Sequence, residues 1–197
     1  QRRFFQMLRM TCFVLFPLMM GLAALAEPVV RLLLTDKWIE TVPLIRILCF
    51  AWIWWPASNM SWQLLNAKHR SDYCLKAEII KKVIAISILV FSLFWGIKVV
   101  CIGMLLYYVA DVYVITVFSA RVLPGVTFAS EMKSMLPILA YAAVMGTGVY
   151  LLDHMISSDA VSLAAGTAAG IVLYMAVTLL TGSREAWYLL EMIKKRR

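Results

Sequence analysis

The sequence predicts an all-α, polytopic membrane bundle of about six transmembrane helices, and three observations carry that prediction. Of the 197 residues, 63% are hydrophobic and only 15% charged, with a mean hydropathy of +0.84; soluble domains carry roughly 25% charged residues. The apolar residues gather into runs at 10–34, 42–66, 78–97, 99–120, 135–152 and 160–181, each in the range of about 17–25 residues that crosses a bilayer. Lys and Arg gather in every second connecting segment between those runs. A spanning chain must satisfy its backbone internally, as helices or as a closed barrel, and no stretch shows the period-2 alternation of a membrane barrel.

The first run follows Arg2, Arg3 and Arg9 and ends in EPVVRLLL, where Glu27 and Arg31 stand four apart with the acid first, the favourable order for a helix pair. It is too long for a signal peptide and lacks a small-residue cleavage site. The second opens VPLIRIL with Pro43 in its first turn. Pro56 interrupts it, and Ser58, Asn59 and Ser61 are placed to satisfy backbone groups freed by the kink. The third carries EIIKKV at its start, and the fourth has Asp111 near its middle. The fifth enters at MLPILA with Pro137 in its first turn. The sixth follows an N-cap cluster, Ser157, Ser158 and Asp159, and Gly182 is placed to stop it. The opening QRRFFQMLRM, without an initiating Met, is read as part of a longer protein.

Fifteen of the 19 Lys and Arg residues fall at the N-terminus, in the loops after the second and fourth spans, and at the C-terminus. Only Arg31, Lys37 and Lys98 fall on the other side, and Arg46 lies inside a span. Cytoplasmic loops retain the positive charge, so both ends face the cytoplasm. The net charge of +8 is thereby accounted for and does not call for a nucleic-acid partner. In the tail, Trp187, Leu190 and Ile193 precede a basic cluster at helical spacing, as suits a helix on an anionic leaflet. The four cysteines lack CxxC spacing; Cys12, Cys49 and Cys101 lie in apolar runs as small hydrophobes, and Cys74 sits in a basic loop placed in the cytoplasm, where disulfides are rare.

Candidate functional residues are the polar ones placed where lipid would reject them. Asp111 is deep in its span, with Tyr107 and Tyr108 on the same face; Asp111 and Tyr107 form a candidate ion-coupling pair, with H⁺ or Na⁺ as the ion and no organic cofactor. Arg46 lies one turn inside the second span, where it either snorkels or holds an anion. Trp52, Trp54, Trp55 and Trp62 accompany Asn59, Gln63 and Asn66, the mixture of rings and amides that a sugar-lined cavity needs. Lys81 and Lys82, with Glu78 before them, sit at the cytoplasmic mouth of the third span. The candidate substrate-binding set is Arg46, Trp55, Asn59, Gln63, Lys81 and Lys82. Gly166 and Gly170 form a GxxxG packing motif. No motif for hydrolysis, phosphate binding or metal ligation is present, so the expectation is a protein that is not an enzyme.

The pieces PLMMGLAALAEPVVRLLLTDKW, VPLIRIL and WQLLNAKHRSDYCLKAEIIKKV, between Leu15 and Ile97, resemble the polysaccharide-exporting branch of the multidrug/oligosaccharidyl-lipid/polysaccharide flippase superfamily. That resemblance implies about fourteen helices in two lobes that move an undecaprenyl-pyrophosphate oligosaccharide across a bacterial cytoplasmic membrane by alternating access. Residues 1–120 would be four helices of the transport lobe, 121–134 a cytoplasmic linker, 135–182 two accessory helices and 183–197 a basic tail. Membrane lipids and polysaccharide-assembly proteins are the further partners it implies. The rivals are a drug or cation extruder of the same superfamily and a catalytic or structural subunit of envelope synthesis.

The charge pattern makes a direct prediction. With the four native cysteines replaced, a cysteine at Lys37 is expected to react with a membrane-impermeant maleimide on intact cells, and one at Lys68 only after the cells are opened. Labelling of both from outside would overturn the N-in, C-in arrangement.

Overall fold

The computed structural model describes residues 1–156, 158–183 and 185. Among these residues eight α-helices follow one another: α1 Arg2–Ala24, α2 Ala26–Leu34, α3 Val42–Trp52, α4 Trp55–Ala67, α5 Ser71–Leu93, α6 Ile97–Val122, α7 Phe128–Met155 and α8 Asp159–Leu180, with a 3₁₀ helix at Asp36–Thr41. Among the described residues there is no strand. The fold is therefore the helical bundle that the composition predicts. The last basic tail, with Trp187, Leu190 and Ile193, lies outside the described residues.

Prolines decide where the long apolar runs break. Pro28 lacks the N–H that would bond the carbonyl of Ala24, and a proline ring also clashes with the carbonyl four residues back. The first expected span accordingly divides at Leu25 into α1 and α2. Pro56, in the first turn of α4, divides the second span into α3 and α4. Pro17 stays inside α1 without ending it. The carbonyl it leaves without an i+4 partner belongs to Phe13, and the Tyr174 hydroxyl of α8 donates to that oxygen at 2.8 Å. The two rings lie 5.0 Å apart. A buried hydroxyl thus supplies from another helix the donor that Pro17 withholds.

Helix ends are closed by local hydrogen bonds. After α8, the Ser183 N–H bonds Thr178 O and the Gly182 N–H bonds Leu179 O, both at 3.0 Å, with Gly182 at φ 64°; this is the Schellman arrangement that favours glycine. The same pair of bonds ends α4, from Arg70 to Leu65 and from His69 to Asn66, and there the left-handed position is taken by His69 at φ 54°. At the other end of α8, Ser158 occupies the cap position without a side-chain cap bond, so the expected capping role is not made by this residue; Ser157 lies outside the described residues. The Ser162 hydroxyl donates instead to Asp153 across the α7–α8 connection.

Among the described residues, five stretches are long and apolar enough to cross a membrane: Arg2–Ala24, Asp36–Ala67, Ile97–Val122, Phe128–Met155 and Asp159–Leu180. The remaining long helix, α5, has 23 residues and carries Lys76, Glu78, Lys81 and Lys82 in its first half. It lies antiparallel beside α6: Ile88 and Ser92 meet Gly103, Lys81 meets Asp111, and Cys74 and Ala77 cluster with Ile115 and Phe118. α5 therefore traverses the same depth as α6. Its exposed Val83, Ile86, Val90 and Phe91 suit contact with lipid tails.

One core joins the two ends of the chain. Leu8, Phe13 and Phe16 of α1 pack with Ile138, Ala142, Met145 and Val149 of α7 and Tyr174 of α8. Gly166 and Gly170 make the GxxxG an internal contact: a Cβ on Gly166 would stand 2.7 Å from Leu25, and one on Gly170 3.1 Å from Val149. The segment 121–134, expected to be a cytoplasmic linker, is mostly helix: α6 continues through Val122 and α7 begins at Phe128. A capping box sets that start, with the Ser130 N–H donating to Thr127 Oγ1 at 3.3 Å and the Thr127 N–H to Ser130 Oγ at 2.9 Å. Helices on both sides of residues 123–127 share the core.

Tyr174→Phe keeps the ring and removes only the donor. It is expected to destabilise the protein by about 1–3 kcal/mol, the cost of an unpaired buried carbonyl, read as a lower melting temperature in detergent; Pro17→Ala in the same background should recover part of the loss. A Tyr174→Phe melting temperature equal to that of the wild type would remove the hydroxyl from this account.

Candidate functional site

Four helices bring polar side chains together inside the bundle. Ser58 and Ser61, one turn apart on α4, are buried and face α6 and α7. The Ser58 hydroxyl donates to Asp111 Oδ2, and Lys81 Nζ of α5 lies 2.7 Å from Asp111 Oδ1. Lys81 also stands 3.5 Å from Glu78 and 5.2 Å from the Trp62 ring centroid, within cation–π reach. One turn along α4, the Ser61 hydroxyl donates to Glu131 Oε1 at 2.7 Å, and the Thr116 hydroxyl to Glu131 Oε2 at 2.8 Å. Ser119 Oγ donates to the Ser61 carbonyl at 3.2 Å. The result is a polar seam through an apolar bundle, with two carboxyl groups supported in different ways. Asp111 has a cation; Glu131 has only hydroxyls, and among the described residues it forms no ion pair.

The sequence-derived residues divide across the molecule. Asp111 and Lys81 meet directly, so that Asp111 is a member of a buried ion pair. Lys82 is exposed and pairs with Glu78 at 3.5 Å. Tyr107 and Tyr108 continue an aromatic strip on from Trp55 and Trp52: ring centroids are 6.2 Å apart from Trp55 to Trp52, 5.9 Å from Trp52 to Tyr108 and 5.6 Å from Tyr108 to Tyr107. Asn59 is half-buried and Gln63 exposed. Arg46 is elsewhere. Its Nε donates to the Ala23 carbonyl at 3.2 Å, in the last turn of α1 beside the Leu25 break, and its guanidinium stands 5.6 Å from the Tyr150 ring. Tyr150 and Glu131 lie near opposite ends of α7, about 28 Å apart by helix rise. Arg46 and Lys81 therefore do not share one anion site in this arrangement.

Sequence reasoning missed Glu131 altogether, and it assigned Ser58 and Ser61 to a backbone kink. Both serines instead spend their hydroxyls on carboxylates. Glu131 was hidden because it preceded the apolar run starting at 135 and counted as loop. The Thr127-x-x-Ser130 cap was the available signal, since it starts the helix early enough to carry Glu131 inside. Away from the seam, α1, α2, α7 and α8 enclose an apolar groove of about 500 Å³ between residues such as Leu18, Leu22, Val149 and Ile171; none of the predicted site residues lines it.

A family described as polysaccharide biosynthesis protein matches residues 1–43, which form α1, α2, the 3₁₀ helix and the start of α3. The chain resembles polysaccharide-biosynthesis membrane proteins. An uncharacterized membrane protein in the cps region of Klebsiella pneumoniae is 32% identical over 93 residues, which are 47% of this chain and 19% of that protein. The match thus spans about a fifth of the relative's length. No solved structure matches the chain. The helices and this relative agree on a multi-pass membrane protein, and the resemblance read from the first spans is borne out at the level of polysaccharide biosynthesis.

The Lys81–Asp111 pair makes a prediction that a double-mutant cycle can check. Lys81→Met leaves a buried carboxylate without its cation and is expected to cost about 3–5 kcal/mol. Adding Asp111→Asn should restore much of the melting temperature, because the unpaired charge is gone. A double variant that melts at the sum of the two single losses would show that the groups do not interact.

Proposed function

We propose that this chain is part of a transporter that moves a lipid-linked oligosaccharide across the bacterial cytoplasmic membrane for polysaccharide export, and that it performs no covalent chemistry. The observation that carries the reading is the aromatic strip of Trp55, Trp52, Tyr108 and Tyr107 running beside the buried Asp111–Lys81 pair. The polysaccharide-biosynthesis match and the cps-region relative support this choice of substrate class.

The physical task is to replace water around a large polar head group while it crosses hydrocarbon. Sugar rings present apolar C–H faces, which stack on aromatic side chains, and equatorial hydroxyls, which need donors and acceptors. The strip supplies the first. Asn59 on α4 and the Tyr107 and Tyr108 hydroxyls supply the second. Lys82, exposed at the start of the third span, and Lys81 supply positive charge for a phosphate, Lys81 once a rearrangement frees it from Asp111. Arg46 serves the scaffold by bonding the end of α1. Alternating access then requires the contacts among α4, α5, α6 and α7 to exist in two arrangements, and a seam of hydroxyls and charges can be re-paired at lower cost than an interlocked apolar core.

The complete protein should restore polysaccharide export to a bacterium lacking its own lipid-linked sugar flippase. Trp52→Ala with Trp55→Ala is expected to reduce that export at least tenfold at unchanged membrane abundance, with lipid-linked sugar accumulating at the cytoplasmic face. Full export by the double variant would overturn the role of the strip. Accumulation of an incomplete sugar, rather than of an untransported one, would point to an enzyme.

A further inference from the structure

We propose that Glu131 is a proton-exchange site, the group that is protonated in one state of the transport cycle and ionised in another; this rests on the transport reading above. Three features of the structure meet at this residue. Glu131 is 1% exposed, and isolated charge at such a position is costly, so the group either finds a cation or takes up a proton. Among the described residues no cation pairs with it, and the seam's own lysine is committed elsewhere: Lys81 is 2.7 Å from Asp111. Both oxygens of Glu131 meet hydroxyls, which donate to a carboxylate but also accept from a carboxylic acid.

The groups that face Glu131 from its neighbours are few. α1 presents the buried thiol of Cys12, α4 the Ser61 hydroxyl, and α6 the Thr116 hydroxyl, with Asp111 more than a turn further along. α5 contributes Lys81, held at Asp111. On α7 itself, Lys133 is exposed. None of these neutralises a Glu131 carboxylate.

Protonation has a defined local consequence. A proton arriving at Oε2 makes that oxygen a donor, and Thr116 must then turn its own O–H away. The carbonyl of Val112, one turn back on α6, lies where a threonine hydroxyl ordinarily donates. Thr147, Thr167 and Thr178 already make such bonds in their helices, at 2.7–2.9 Å. No hydrogen bond is lost in total, but the link from α6 to α7 changes from a charge-assisted bond to a neutral one, which is roughly half as strong. The Ser61–Glu131 bond to α4 weakens in the same way. Protonation therefore loosens the joint at which α4, α6 and α7 meet, one turn from the connection at residues 123–127.

The test is infrared difference spectroscopy of the complete protein in lipid, recorded as pH is raised, on wild type, Glu131→Gln and Asp111→Asn. Glutamine keeps the shape and the hydrogen bonds of a protonated glutamic acid. The expected result is a protonated-carboxyl band that disappears as pH rises, is absent from Glu131→Gln and persists in Asp111→Asn. A band that survives Glu131→Gln, or no titrating carboxyl band in the wild type, would overturn the inference. The export assay separates the two readings. Export without the band keeps the transporter and removes this proton site, whereas the titrating band in a protein that moves no lipid-linked sugar keeps the site and removes the transport reading.

Discussion

Every carbonyl that a membrane helix leaves unpaired must find a donor from protein, because the hydrocarbon around it offers none. This chain places prolines at 17, 28, 56 and 137 within or beside its spans, and much of its architecture follows from how the freed groups are treated. Pro17 sits mid-helix, and Tyr174 crosses from α8 to the carbonyl at Phe13. Pro28 ends α1, and Arg46 reaches its last turn at Ala23. Pro56 lies in the first turn of α4, just after the break from α3, and Ser58 and Ser61 behind it are buried. The contact of α1 with α7 and α8 and the orientation of the polar seam both depend on these local solutions.

The seam and the strip share α4 and α6, and their closeness gives the proposed site its chemistry. Asp111 is four residues from Tyr107 and three from Tyr108, so the ring that would touch a sugar and the carboxylate held by Lys81 belong to one stretch of α6. Ser58 and Ser61 belong to one turn of α4, and between them they bond both acids of the seam. A shift of α4 relative to α6 and α7 would disturb Asp111 and Glu131 together, a direct physical link between the strip and the charged groups behind it.

Much of this was legible in the sequence. Hydrophobic runs located the spans, because the bilayer length leaves little freedom, and Pro56 marked its break correctly. Asp111 stood out because an acid among apolar residues has few harmless explanations. Three things were less visible. Glu131 looked like loop charge, since the hydropathy of its surroundings rises only after Ser134 and the capping box at Thr127 is a quieter signal. Serines in a membrane helix bond their own backbone so often that Ser58 and Ser61 gave no hint of carboxylate partners. Arg46 and Lys81 both read as cavity cations because linear sequence does not say which end of the bundle a kinked span turns toward. Their separation depends on the breaks at Leu25 and Trp54, and those angles come from packing.

The bond from Tyr174 to Phe13 also has a history in time. Its two residues are 161 positions apart, and a ribosome adding about 5–20 residues per second takes roughly 8–30 s to travel between them. For that interval α1 stands in the bilayer with a carbonyl whose eventual partner has not been made. Either water near the insertion machinery or a temporary protein companion must cover it. α8, on this view, is what allows α1 to leave its escort.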